Sequence, residues 1–293
     1  MSLALIEPKQ SLASARSVTT IEHYMETLCT EDERIAPTRD LGSVVRKYHE
    51  FSTKALSQVN YLVTTPKFHA WLMGADSDIL LVDGHCGNQS IGKIAPTSVF
   101  CAGLIETLSD PLWDPEMVSL PHQPRMVVYF FAGQHANSGH GLLGPCGLMR
   151  SLIDQVLLQW PKHRSLDLAY REARHETRTD AWGCDIPELC CVFERLISQL
   201  ERDTSIFCVI DGISYFETAL RGWVDDLKEI VECFLRCVDR SHGNRETSSV
   251  KMLLLSADKS TAIRHMIPTQ YHMDLRAGNF HSQSQGWNVL RAH

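Results

Sequence analysis

The chain has 293 residues, of which 44% are hydrophobic and 22% charged, as in ordinary globular proteins that dissolve in water. Its formal net charge is -7 and it has no run of Lys and Arg, which argues against a nucleic-acid partner. No apolar run reaches the ~18 residues of a membrane span and the N-terminus lacks a basic leader region, so we expect a cytoplasmic protein that does not bind membranes. Accordingly, we expect the ten cysteines to be reduced.

The first part of the chain shows helical periodicity and no strand pattern. Residues 21–28 and 41–59 are predicted to be helical, and the polar residues 30–34 are predicted to separate them. We therefore interpret residues 1–62 as a helical or partly disordered extension and residues 63–293 as one α/β domain. An extension of this kind would suit an unidentified protein partner, so a purely structural, partner-binding role is one hypothesis for the chain.

From Pro66 onward, short apolar strands alternate with helical patterns. In chain order we predict helices at 67–73, 98–108, 148–158, 187–200 and 223–238. We predict strands at 79–82, 126–131, 206–210 and 250–256, and a last strand at 271–275. Because the strands are continuously apolar, the fold class is α/β, a three-layer, mostly parallel five-stranded sheet with helices on both faces. Right-handed crossovers would bring the strand ends and their loops to one edge of the sheet.

An acidic residue closes the strand at 206–210, which runs directly into Asp211 and Gly212. In a nucleotide-hydrolysing α/β domain, a carboxylate in this position holds Mg²⁺ through water, so Asp211 is the candidate metal and catalytic residue. Glu217 is the first acid beyond the strand, and in an active enzyme it would orient the attacking water. The competing interpretation of Asp211 is a carboxylate that caps a helix or anchors a loop.

The strand at 79–82 is followed by a glycine-rich loop that is a candidate phosphate site. The phosphate-loop motif can be aligned with this segment in two registers. In the first, Gly84 and Gly87 begin the loop, but a serine and an isoleucine replace the expected Lys and Ser/Thr. In a second register, Gly87, Gly92 and Lys93 match G-x-x-x-x-G-K, but the loop is detached from its strand. An ordinary strand-to-helix connection with turn glycines stays open as the alternative.

Neither register places a hydroxyl for Mg²⁺ directly after the lysine. Thr97 and Ser98 lie near the predicted start of the next helix, where they would either supply that hydroxyl or cap the helix.

Taken together, these segments resemble the NACHT-like P-loop NTPase domains of the STAND class, especially a divergent group common in filamentous fungi. The matching segments are 68–72, 79–84, 128–131, 148–155, 207–212 and 252–256, in the order of that family. The resemblance implies a domain that binds ATP or GTP with Mg²⁺ and works as a conformational switch. It also implies that Gly84 and Gly87 lie in the phosphate loop, that Asp211 is the metal carboxylate, and that Ser256 begins the nucleotide sensor.

The chain departs from that family at several of its functional positions. Ser214 and Tyr215 replace the acids that commonly follow Asp-Gly, and Ala257 and Asp258 follow Ser256 where an arginine is usual. We therefore expect a degenerate, non-catalytic module that binds a nucleotide or a protein and acts as a regulatory domain. The alternative is an active magnesium-dependent ATPase or GTPase that uses Lys93, Thr97 or Ser98, Asp211 and Glu217.

Two other features have a functional and a simpler interpretation. The glycines from Gly139 to Gly144 match G-x-G-x-x-G, but the strand ends several residues earlier, which favours a flexible loop over a dinucleotide site. Arg150 lies one turn into a predicted helix, where it would either reach a phosphate or pair with a carboxylate.

Overall fold

A computed structural model describes residues 21–22, 24–113, 124–137, 141–162, 164, 166, 185–241 and 248–276. In these ranges, five strands form one sheet in the order β2-β3-β4-β1-β5, and every neighbouring pair is parallel. The strands are β1 (Asp78–Asp83), β2 (Arg125–Phe131), β3 (Ser205–Asp211), β4 (Ser249–Ser256) and β5 (His272–Asp274). The predicted parallel α/β fold is confirmed.

Helices cover both faces of this sheet. They are α1 (Glu31–Arg46), α2 (Thr53–Asn60), α3 (Pro66–Met73), α4 (Pro96–Ser109), α5 (Gly144–Leu158), α6 (Ile186–Ser198) and α7 (Trp223–Ser241). One apolar cluster joins α2, α3 and α4 to one face, and a second joins α5, α6 and α7 to the other. No helix within the described ranges is both long enough and apolar enough to span a bilayer.

The strands divide their side chains between the two clusters residue by residue. In β1, Leu80 and Val82 pack toward α2–α4, whereas Ile79 and Leu81 pack toward α5–α7. All four side chains are buried, because a strand with helices on both faces has no solvated side. This double burial explains the continuous apolar pattern from which the sheet is predicted.

The predicted boundaries between residues 30 and 59 are wrong. The polar residues 30–34, expected to separate two helices, begin α1, because Thr30 and Glu33 form a capping box. The Thr30 hydroxyl accepts from the Glu33 N–H at 3.3 Å, and the Glu33 carboxylate accepts from the Thr30 N–H at 2.8 Å. The helix expected at 41–59 is interrupted, and Ser52 caps a new start by accepting from the Ala55 N–H.

Polar contacts attach α1 to the layer of α5 and to the end of β2. The side-chain pairs are Arg34–Asp154 at 3.1 Å, Glu33–Arg150 at 2.9 Å and Asp40–His135 at 2.7 Å. Arg150 is therefore paired with a carboxylate, which was the simpler of its two interpretations. The G-x-G-x-x-G segment lies partly outside the described residues, and its last glycine, Gly144, begins α5.

The cysteines differ from expectation at one position. Eight described cysteines are free thiols and all but Cys191 are buried, but Cys146 is disulfide-bonded. The spacing of cysteines in a sequence does not define which of them meet in space, so this bond was not predictable.

Candidate functional site

The order of the strands defines a crevice between the ends of β1 and β4. After β1 the chain crosses to β2 through α4, on the face covered by α2 and α3. After β4 it crosses to β5 on the opposite face, where Ile263 and Ile267 join the α5–α7 cluster. In open parallel sheets, ligands bind outside the carboxyl ends of the strands at such a point of divergence. The glycine-rich loop and Asp211 both lie at this edge.

Asp211 is buried at the end of β3 and faces the first turn of α4. Its side chain is 3% exposed, and burial raises its pKa from the usual 3.8 to about 6. The hydroxyls of Ser98 and Thr97 and the backbone N–H of Gly212 act in the opposite direction, because each stabilises the ionised form. The structure thus brings three of the predicted site residues, Asp211, Thr97 and Ser98, into one cluster.

The hydroxyls of Thr97 and Ser98 make different contacts in this cluster. Ser98 Oγ accepts from the Ala95 N–H at 2.9 Å, which fixes the first turn of the helix. Thr97 is fully buried, and Thr97 Oγ1 makes no hydrogen bond of normal geometry to any described residue. The Thr97 hydroxyl nevertheless lies beside the buried Asp211 carboxylate, and both groups offer oxygen ligands of the kind that Mg²⁺ prefers.

The loop after β1 runs alongside the end of β4. Gly84 N–H donates to Ser256 O at 2.8 Å, Cys86 N–H donates to Ala257 O at 2.8 Å, and Gly87 N–H donates to Asp258 Oδ1 at 3.0 Å. A side chain at Gly84 would collide with Thr97 and with the carbonyl oxygens of β4, so only glycine fits this close approach. The glycine-rich candidate loop therefore follows β1, and these three of its donors are used within the chain.

The N–H of Thr97 at the start of α4 lies near the sulfur of Cys86. Burial raises the pKa of Cys86 to about 12, so the thiol stays neutral. A neutral thiol therefore lies where a helix N-terminus would otherwise face an anion.

Lys93 lies at a turn ahead of the helix. Ile91 and Ile94 pair across this turn, and Gly92 adopts a left-handed φ of 66° there. The exposed Lys93 ammonium lies 4.7 Å from the centre of the Tyr215 ring, a cation–π contact. Lys93 is thus in contact with the loop after β3.

Glu217 and Ser256 are both engaged in local contacts. The Glu217 carboxylate accepts four hydrogen bonds of 2.7 to 3.0 Å, from the Thr261 N–H and hydroxyl and from the N–H groups of Ala262 and Ile263. Ser256 Oγ donates to Ser214 Oγ at 2.7 Å. Glu217 therefore anchors the segment after β4, and this geometry does not direct it toward a water near Asp211.

A second polar cluster joins the ends of β1 and β5. Asp83, His85 and Asp274 lie close enough to be considered as metal ligands. Arg264, however, is hydrogen-bonded to Asp83 and lies 3.0 Å from Asp274, so an arginine already supplies the positive charge. The Ser260 N–H also donates to Asp83 at 2.8 Å, which makes this cluster an anchor for the segment between β4 and β5. This cluster was not predicted from the sequence, although Asp83 ends β1 as Asp211 ends β3.

The fold and the crevice define a parallel α/β domain whose candidate ligand site is built from the ends of β1, β3 and β4. The chain belongs to the family described as Nephrocystin 3, N-terminal, whose model matches residues 58–256, more than half of its length. The match begins in α2 and ends at Ser256, so it contains the glycine-rich loop, the start of α4 and Asp211. No curated protein and no solved structure matches the chain.

Proposed function

We propose that this chain is a P-loop-type regulatory module, related to the NACHT-like domains of the STAND class, that binds ATP or GTP with Mg²⁺ and does not hydrolyse it. The observation that carries the proposal is the cluster of Asp211 with the Thr97 and Ser98 hydroxyls at the first turn of α4. A carboxylate and a hydroxyl at the end of parallel strands are the protein ligands typical of a magnesium–nucleotide site. Asp211 and Thr97 would hold the ion, and Mg²⁺ would neutralise phosphate charge.

The same geometry argues against turnover. Hydrolysis needs a residue that orients water beside the terminal phosphate. The Glu217 carboxylate already accepts four hydrogen bonds. Tyr215 lies against the Lys93 ammonium, and its phenol cannot replace a carboxylate. The loop donors at Gly84, Cys86 and Gly87 are engaged, so we expect binding to be weaker than in a free phosphate loop.

The test is thermal unfolding with and without Mg²⁺ and millimolar ATP or GTP. A ligand at about 100 times its Kd stabilises the native state by about 2.7 kcal/mol, a Tm increase of a few degrees in a domain of this size. We expect a magnesium-dependent increase that Asp211→Asn abolishes, with no phosphate released over hours. No shift with either nucleotide would refute the proposal. Rapid phosphate release that depends on Lys93 would support the active enzyme instead.

A further inference from the structure

The strand β2 lies at one edge of the described sheet and is prone to pair with another strand. Its residues 126–131, Met-Val-Val-Tyr-Phe-Phe, contain no charge, no proline and no glycine, and consist mostly of β-branched and aromatic residues. An uncharged segment of this kind at a free edge is a template for pairing between chains. The structure must therefore satisfy the outward backbone groups of β2 in another way.

Two glutamines on α5 satisfy those groups. Gln159 accepts from the Val127 N–H at 3.1 Å and donates to Val127 O at 3.0 Å. Gln155 accepts from the Tyr129 N–H at 3.0 Å and donates to Tyr129 O at 2.9 Å. Each amide thus presents one acceptor and one donor to one residue, as the peptide group of a neighbouring strand would.

The spacing of the helix matches the spacing of the strand. Four residues of a helix rise about 6 Å, and two residues of a strand rise about 6.6 Å, so glutamines one turn apart meet alternate strand residues. The second N–H of each amide is used as well: Gln155 donates to Ser151 Oγ at 3.0 Å, and Gln159 donates to Gln155 O at 3.0 Å. Both amides are therefore held in place.

We propose that Gln155 and Gln159 replace a neighbouring strand, and so keep β2 from pairing with β2 of a second copy of this chain. Identical uncharged segments are complementary to each other through their backbones alone, which makes a second copy the natural occupant of this edge. The Tyr129 end is approached by α1, since Thr38 of that helix lies beside the Tyr129 side chain. Gln159 is exposed, so the Val127 end is where another strand would arrive first.

The chain contains a matched control for this proposal. Gln159 ends α5 and Gln199 ends α6, and each donates to the carbonyl four residues earlier, at 3.0 Å and 3.1 Å. Methionine keeps the length and helix preference of glutamine but loses both hydrogen-bonding groups. Gln159→Met and Gln199→Met therefore remove the same helix-end contact, and only Gln159→Met uncovers Val127.

The experiment is sedimentation of the full chain over a range of concentrations, with circular dichroism to show that both variants fold. We expect Gln159→Met to self-associate at least tenfold more tightly than Gln199→Met and the unchanged protein. Hydrogen exchange at the Val127 amide should be faster than in the unchanged protein at low concentration, and slow again once the variant associates. Equal self-association of the two variants, or an associated variant in which the Val127 amide still exchanges fast, would overturn the proposal.

Discussion

Asp258 Oδ1 accepts a hydrogen bond from the Gly87 N–H at 3.0 Å, so a carboxylate of the chain occupies a donor of the candidate phosphate loop. An incoming phosphate would have to displace this carboxylate and would be repelled by its charge. We therefore predict that Asp258→Ala tightens the binding of magnesium nucleotide about tenfold. That gain is ~1.4 kcal/mol, close to the lower end of what a hydrogen bond to a charged group contributes.

Calorimetric titration of ATP and GTP into both proteins measures this difference. Asp225→Ala is the control, because Asp225 is an exposed aspartate on α7 whose ion pair within the described residues is with Lys228 in the same helix. Equal nucleotide affinities for Asp258→Ala and the unchanged protein would show that the Asp258 contact does not compete with the ligand.

Asp211 should make stability depend on pH in the absence of Mg²⁺. Its folded pKa of about 6 lies above the usual 3.8, so the folded state holds the proton more tightly and loses stability as pH rises from about 4 to about 6. Asp211→Asn stays neutral, and we expect it to be more stable than the unchanged protein at pH 7 by about 2 to 3 kcal/mol. Urea unfolding at pH 4 should show no such difference. A difference of the same size at both pH values would contradict the assignment.

Glu217 should contribute to stability rather than to chemistry. Glu217→Ala leaves the N–H groups of Thr261, Ala262 and Ile263 without their acceptor, which we expect to cost about 2 to 4 kcal/mol of unfolding free energy. Urea unfolding measures this cost, and the exposed Glu232→Ala on α7 should change stability by less than about 0.5 kcal/mol. Unchanged stability together with a loss of nucleotide hydrolysis would instead identify Glu217 as a catalytic residue.

Lys251 should make the stability of the protein rise with pH in the alkaline range, opposite to the effect of Asp211. It is 2% exposed within β4, and burial lowers its pKa from 10.5 to about 8, although Asp78 and Asp76 partly oppose the change. Because the unfolded chain binds this proton more tightly, stability should rise as pH increases from about 8 to about 10. Lys251→Met should stabilise the protein at pH 7 by about 2 to 3 kcal/mol and abolish this rise. Urea unfolding at pH 7 and pH 9.5 tests both statements, and a parallel rise in the variant would refute them.

Gln58 is the first residue matched by the family model, and the structure gives this side chain a positioning role. Its amide donates to Gly84 O at 2.7 Å and to Leu275 O at 2.6 Å, so it joins the ends of β1 and β5 from α2. The glycine-rich loop is therefore held from both sides, by Gln58 and by the end of β4.

The amino-acid sequence by itself determined the layers of this protein and the position of its candidate site. Buried strands such as β1 and β3 are apolar at every position because helices cover both faces, and a pattern carried by every residue of an element is readable without coordinates. The positions of Asp211, Thr97 and Ser98 could be predicted for the same reason. Each lies at the end of a strand or helix whose bounds the apolar pattern indicates.

Only the tertiary structure decided which groups are available to a ligand. Asp258, the donors to Glu217 and the two glutamines that hydrogen-bond to β2 act through contacts between separate segments of the chain. The energy of such contacts depends on distance and direction. The sequence shows which residues can donate and accept hydrogen bonds. The fold decides which donors are already satisfied, and in this protein the donors at Gly84, Cys86 and Gly87 of the candidate loop are among them.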